Sequence, residues 1–251
     1  MTTPSSEHPA VQVEHLTKRY RGLAALDDVG FHVRRGETIG ILGVNGAGKT
    51  TMVEVIAGLR RPDGGRVQVL GLDPVRDRAA LRAVLGVQLQ EADLHGALTV
   101  DELLELYGSF YPDPRPREEL LDLVELRDKA GHRFERLSGG QQQRLSVALA
   151  MIGRPRVLIL DELTTGLDPV GRRRVWAAVE QLQRERATIL LVSHAMDEVE
   201  RLCDRLLVLH AGRVRMIGTA AEIIARAGTD TVEDAFVALT GQAPHDEEVR
   251  R

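Results

Sequence analysis

An α/β fold built on a mainly parallel sheet is the class this sequence predicts, and three observations predict it. The apolar run Thr38–Leu42 leads into Gly43-Val-Asn-Gly-Ala-Gly-Lys-Thr50, and a helical pattern follows. Strand, glycine loop and helix in that order are the grammar of a parallel α/β unit. Next, Val157–Leu160, Ile189–Val192 and Leu206–Leu209 are short, wholly apolar runs separated by helical segments. Strands buried on both faces read this way. Finally, no strand-like run appears between about residues 91 and 150, so a helical lobe is expected there, inserted into the α/β unit.

In chain order, residues 1–10 are polar and proline-containing and are expected to form a loose tail, as are the charged residues 242–251. One domain, 11–241, lies between them. Val11–Leu16 alternates apolar and polar residues as a half-buried strand does, and Val29–Val33 is a second, weaker strand. Gly48–Leu59 reads as a helix. Asp63-Gly-Gly65 is a turn, followed by a strand over Arg66–Leu70. Thr99 with Glu102 three residues on predicts a capped helix start. Tyr111-Pro-Asp-Pro-Arg-Pro116 breaks the chain, Arg117–Leu126 resumes helical periodicity, and another helix follows Ser138. Trp176 and Cys203 sit in helical patterns as core residues.

Composition narrows the function. The chain has 251 residues, 43% of them hydrophobic and 28% charged, which suits one large folded domain. A net charge of −4 argues against a nucleic-acid partner, whose phosphate contacts call for a basic excess; Arg172-Arg-Arg174 then reads as a solvated helix face. The single cysteine, Cys203, excludes an intramolecular disulfide and a cysteine-based zinc site. No apolar run approaches the roughly 18–20 residues that cross a bilayer, so action at a membrane requires a second protein.

Gly43–Thr50 fits the phosphate-loop pattern of a glycine, four residues and Gly-Lys-Thr. Glycines let backbone N–H groups approach phosphate oxygens, and the following helix offers its positive end to the anion. Lys49 can reach the β- and γ-phosphates, and the Thr50 hydroxyl can ligate Mg²⁺. The candidate nucleotide site is therefore Gly43, Val44, Asn45, Gly46, Ala47, Gly48, Lys49, Thr50 and Thr51. Val157-Leu-Ile-Leu-Asp-Glu162 supplies the matching acids at the carboxyl end of a buried strand. Asp161 would hold Mg²⁺, and Glu162 would take a proton from the attacking water. Together the two motifs point to hydrolysis of a nucleoside triphosphate. The segment Leu137-Ser-Gly-Gly-Gln-Gln-Gln-Arg144 has two readings on residue chemistry alone: an ordinary N-cap by Ser138 with a tight glycine entry, or a second anion site.

With these residues in view, the chain resembles the ATP-binding cassette (ABC) ATPases, of the phosphate-loop NTPase fold class. Leu137–Gln141 resembles the family signature and stands shortly before the Asp161–Glu162 strand. Gln90 resembles the Q-loop glutamine, Leu167-Asp168 the D-loop, His194 the switch histidine that senses the γ-phosphate, and Tyr20 the aromatic that stacks on adenine. The match runs from about Val11 to Gly241. Val44 and Leu163 depart from the family's usual prolines without removing a donor, ligand or base. By residue type alone, His194 would serve equally as a core or capping residue, and Tyr20 as a surface aromatic.

The resemblance implies a core with a small antiparallel β region and the inserted lobe, binding ATP and Mg²⁺. Gln90 is implied to join Thr50 and Asp161 at the metal, and Glu162, His194, Gln90 and Lys49 to carry catalysis. It further implies a head-to-tail homodimer with Ser138, Gly139, Gly140 and Gln141 of one subunit facing the phosphate loop of the other. A separate transmembrane permease completes the expected assembly, with this chain at the cytoplasmic face of the cell membrane. Asp161-Glu-Leu-Thr-Thr-Gly-Leu-Asp168 and the ending Val232–Gly241 are closest to ATPases of the ABC-2 exporter kind, with a drug, antibiotic, lipid or polysaccharide as cargo. The alternative, a non-transport ABC ATPase acting on nucleic acid or ribosomes, would be expected to carry a coiled-coil insertion, zinc cysteines or a second cassette. Leu94 and Leu98 are expected either to line a groove for the permease or to fill the lobe's own core.

Overall fold

The computed structural model describes residues 8–89 and 94–241. Hydrogen bonding sorts its strands into two sheets. β1 (Val11–Tyr20), β2 (Leu23–Val33) and β4 (Gly64–Val69) form an antiparallel sheet in the order β2-β1-β4. The second sheet runs β5-β6-β7-β3-β8-β9, with β3 (Thr38–Leu42), β5 (Leu85–Gln88), β6 (Val157–Asp161), β7 (Thr188–Val192) and β8 (Arg205–His210) parallel. β9 (Arg213–Gly218) closes its edge antiparallel to β8. Every residue of β3, β6 and β7 is buried, as their unbroken apolar runs require.

One core lies between the two sheets and packs α1 (Lys49–Ile56). The other face of the parallel sheet carries α5 (Gly139–Met151) and α6 (Pro169–Arg184). That second core continues into α3 (Val100–Gly108) and α4 (Arg117–Leu123), which precede α5 in chain order. A smaller cluster joins α7 (Met196–Leu202), α8 (Ala220–Ala227) and α9 (Val232–Thr240) to β8.

Several elements differ from expectation for local reasons. β1 and β2 extend towards each other through a two-residue turn, Arg21 at φ 48° and Gly22 at φ 89°, the left-handed pair that matches hairpin twist. Ala10, assigned to the loose tail, is buried and donates to Val33 O at 2.8 Å. The Arg117 helix stops at Leu123, and Glu125 takes φ 50° just beyond it. β5 and β9 were not expected as strands. β5 is four residues long and contains Gly86, where an added Cβ would lie 2.1 Å from Ala150 O. The glycine is there because α5 approaches the strand backbone. The start at Thr99 is as expected: Thr99 and Glu102 close a reciprocal capping box. Trp176 is core, whereas Cys203 is half-buried at the end of α7.

Candidate active site

Sheet order brings the chemistry together. β7 lies between β3 and β6, and Val192 is in register with Ile41 on one side and Asp161 on the other. The segments leaving these strands therefore share the carboxyl edge of the sheet, where ligands of open α/β sheets bind.

From β3 the chain enters Gly43–Gly48. Gly46 and Gly48 adopt φ 75° and 104°, a region glycine enters without the usual steric penalty. At Gly48 an added Cβ would also lie 2.4 Å from Ala25 O. No side chain caps α1, so its first-turn N–H groups remain available to an anion. Lys49 is buried and donates to Gly43 O at 2.6 Å and Val44 O at 3.2 Å. Burial lowers its pKa, and the charges of Glu162 and Asp161 oppose that shift. Ala47 is buried, Val44 half-buried, and Asn45, Gly46 and Thr50 face solvent. Ala47 O also accepts from Gly212 N at 3.0 Å, which hooks the loop to the β8–β9 turn.

Asp161 closes β6, 3% exposed, and its N–H donates to Gln88 Oε1 at 3.0 Å. Burial, with Glu162 adding to it and Lys49 opposing, pushes its carboxyl up to about 6. Glu162 turns off the strand at φ 51° while its N–H donates to Val192 O at 2.9 Å. His194 Nδ1 stands 3.6 Å from Glu162 Oε1, an ion-pair separation. The imidazole holds the Glu162 carboxyl below its usual range, and the carboxylate raises His194 in return. A buried cation, a buried acid and a second acid paired with a histidine thus share one edge.

Ser138 caps α5: Gln141 N donates to Ser138 Oγ at 3.3 Å, and Ser138 N to Gln141 Oε1 at 2.9 Å. Both bonds stay within the helix start, and neither reaches the phosphate loop. Gly139 has open space where a Cβ would stand, and Gly140 has only Leu167 Cδ2, at 3.2 Å. Asp168 caps α6 by accepting from Gly171 N at 2.6 Å. Tyr20 ends β1, 37% exposed, with Lys18 Nζ 5.6 Å and Arg60 Cζ 5.3 Å from its ring centre. Gln90 lies outside the described residues. Sequence reasoning missed Gln88, which orients the Asp161 backbone. An amide in an otherwise apolar stretch is its signal, and only the pairing of β5 with β6 gives it meaning.

A glycine loop and lysine at a helix start, faced by acids on the neighbouring strands, define a phosphate-loop nucleoside triphosphatase. The family model described as ABC transporter matches residues 26–165. The chain belongs to the ABC transporter family, as an ATP-binding, ATP-hydrolysing subunit. It is 42% identical to the daunorubicin resistance ATP-binding protein DrrA3 of Streptomyces coeruleorubidus over 229 residues, 89% of this chain and 72% of that protein. It is equally identical to the Nod factor export ATP-binding protein I of Neorhizobium galegae over 221 residues, 86% of this chain and 63% of the relative. A solved ATP-binding subunit of an ABC transporter superposes with a TM-score of 0.84 at 28% identity, covering 92% of this chain and 99% of that one. A dimeric ATP-binding cassette in a post-hydrolysis state, bound to ADP and Pi, gives 0.76 at 27% identity, covering 83% and 98%.

The electrostatics make a prediction about stability. Asp161 binds its proton more tightly folded, at about 6, than at the ordinary 3.8. Its favourable contribution is therefore full below about pH 4 and is lost as pH rises through 6. Asp161→Asn should stabilise the ligand-free protein near neutral pH by about 1–3 kcal/mol and flatten the stability profile between those values. Urea unfolding at acid and neutral pH measures this. A variant no more stable than wild type at neutral pH would show that the buried charge costs nothing.

Proposed function

We propose that this chain powers export through a separate permease, as one of two identical ATPase subunits packed head to tail at the cytoplasmic face of the cell membrane. The observation that carries the catalytic part is the Glu162–His194 pair beside buried Lys49 and Asp161. Water bonds to the γ-phosphorus and gives a proton to Glu162 as the β–γ bridging bond breaks. The depressed Glu162 carboxyl is ionised and ready to accept that proton. Lys49 meets the β- and γ-phosphate charge, and His194 orients Glu162 and contacts the γ-phosphate. Tyr20 stacks on the adenine. Thr50 and Asp161 offer hard oxygen donors of the kind Mg²⁺ takes while keeping phosphate and water ligands, and Gln90 is assigned to the same ion. Bound there, Mg²⁺ neutralises charge on the phosphates. The domain is assigned to about residues 11–241, with residues 91–150 as its helical lobe; the tails expected at residues 1–7 and 242–251 lie outside the described residues.

Export is supported by the names of the relatives, which concern daunorubicin resistance, Nod factor export and, in Bacillus subtilis, linearmycin resistance. Head-to-tail pairing is supported by the open surface at Gly139 and the exposed Ser138, which suit contact with a second chain. Between core and lobe lies a groove of about 660 Å³, lined by Leu59, Leu89, Leu94, Tyr107 and Tyr111 among others. It is assigned to a short apolar-faced helix of the permease. Leu94 lines this groove and also packs against the lobe core, as Leu98 does.

Glu162→Gln should retain ATP binding and lower turnover by roughly 10²–10⁴-fold, the usual cost of losing a general base. The variant should elute as an ATP-bound dimer, and wild-type turnover would move the base elsewhere. Lys49→Ala and Ser138→Arg should each be inactive alone, yet regain part of the ATPase activity when mixed, because one hybrid interface then carries neither defect. No recovery on mixing would mean that each site is complete within one subunit. Leu59, 61% exposed on the groove, tests docking. Leu59→Glu should keep the melting temperature and ATPase activity of the isolated chain while abolishing co-purification with the permease. Retained co-purification would place the contact elsewhere.

A further inference from the structure

Behind the Glu162–His194 pair lies a group of buried polar side chains that the chemistry above leaves unused. Glu198, on α7, is 0% exposed. Trp176 of α6 donates its indole N–H to Glu198 Oε1 at 3.1 Å. The guanidinium groups of Arg172 and Arg201 lie over the Trp176 ring at 5.9 and 5.1 Å from its centre, which steadies the indole. Glu198 Oε2 closes no hydrogen bond of normal geometry. The hydroxyls of Ser193 and Thr164, 2% and 7% exposed, lie close enough to favour the charged form without completing one.

The position of these partners is what gives Glu198 meaning. Ser193 immediately precedes His194, and its Oγ accepts from Ala195 N at 3.0 Å, so it shapes the turn that presents the histidine. Thr164 follows Glu162 by two residues. Trp176 belongs to the helix that Asp168 caps. One carboxyl is therefore wedged among the segments that leave β6 and β7.

Such a residue is expensive to keep. A buried carboxylate with one hydrogen bond costs several kcal/mol, and an apolar side chain of similar volume is often neutral or better there. Burial pushes the Glu198 carboxyl upward, against the opposing effects of Ser193, Trp176 and Thr164. The neutral acid offers a donor and an acceptor together, which suits a pocket holding one N–H and two hydroxyls. Its partner Trp176 belongs to the apolar core under α6, so packing alone gives no reason for a carboxyl.

We propose that Glu198 is a positioning residue for ATP hydrolysis, whose buried carboxyl, held by the Trp176 indole and packed beside Ser193 and Thr164, supports the Ser193–His194 turn against the segment after Glu162 and so sets the separation of His194 from Glu162. The proposal rests on the reading of Glu162 and His194 as the catalytic pair. Glu198 touches neither phosphate nor water; it acts through His194.

The test compares Glu198→Leu and Glu198→Gln, each alone and combined with His194→Ala, by ATPase turnover, equilibrium ATP binding and melting temperature. Glu198→Leu should keep ATP affinity and melting temperature near wild type while kcat falls about 10-fold or more, since misplacement by about 1 Å is enough to cost 10²-fold. Glu198→Gln, which keeps a donor and an acceptor, should recover most of that loss. In the His194→Ala background, Glu198→Leu should cost less than about twofold further, as expected of residues acting through one contact. Wild-type turnover in Glu198→Leu, or losses that multiply with those of His194→Ala, would overturn the proposal. Should Glu198→Leu fail to fold, Trp176→Phe removes the indole donor together with one ring of packing, and the same fall in kcat and the same non-additivity are required of it. Unimpaired turnover in His194→Ala alone would remove the catalytic-pair reading and this proposal with it. An impaired His194→Ala with multiplying losses would remove this proposal only.

Discussion

The placement of β7 between β3 and β6 is the constraint on which the site depends. Parallel pairing sets Val192 level with Ile41 and with Asp161, so the phosphate loop, the acids and the histidine leave one edge at similar height. A one-residue slip of either pairing would turn each following side chain to the opposite face. Burial of every residue in the three strands protects the register, because a slip would disturb both cores at once.

That edge concentrates charge in a poorly solvated place. Lys49 and Asp161 are both buried, each is shifted towards its neutral form by burial, and each partly offsets the other. Glu162 sits at φ 51° with its carboxylate drawn towards His194. Non-glycine residues in that region are strained and persist where surrounding contacts over-determine them. Here the contact is Glu162 N to Val192 O, a backbone bond to the central strand. The phosphate loop is held in a comparable way, by Gly212 on Ala47 and by the Lys49 bonds to Gly43 and Val44. Stability is spent at the carboxyl edge and recovered in the cores beneath it.

The helical segment is not a separate packing unit. Leu103, Leu104 and Leu120 belong to one continuous core with Leu158, Leu160 and Leu191 of the sheet. Polar ties also cross between them: Arg115 pairs with Glu185 at the end of α6, and Arg174 of α6 with Glu125. Partly exposed pairs of this kind are worth little, about 0–1 kcal/mol each, so the apolar core carries the attachment. The groove opens beside it, where α3, α5 and β5 meet.

Features that act over a few residues follow from local residue chemistry. The phosphate loop, the apolar strand ending in Asp161-Glu162, the Thr99 cap and the helical character of the lobe were legible, because glycine spacing, strand burial and capping chemistry are local. The tertiary structure decided which strands became neighbours, and with that the meeting of His194 with Glu162 and of Gln88 with Asp161. It also decided the role of Gly86, which permits the close approach of α5, and the full burial of Glu198. The physical reason is the same in each case. Propensity and spacing bias the nearest few residues, whereas strand order, close backbone approach and the burial of a polar group follow from packing between segments far apart in the chain.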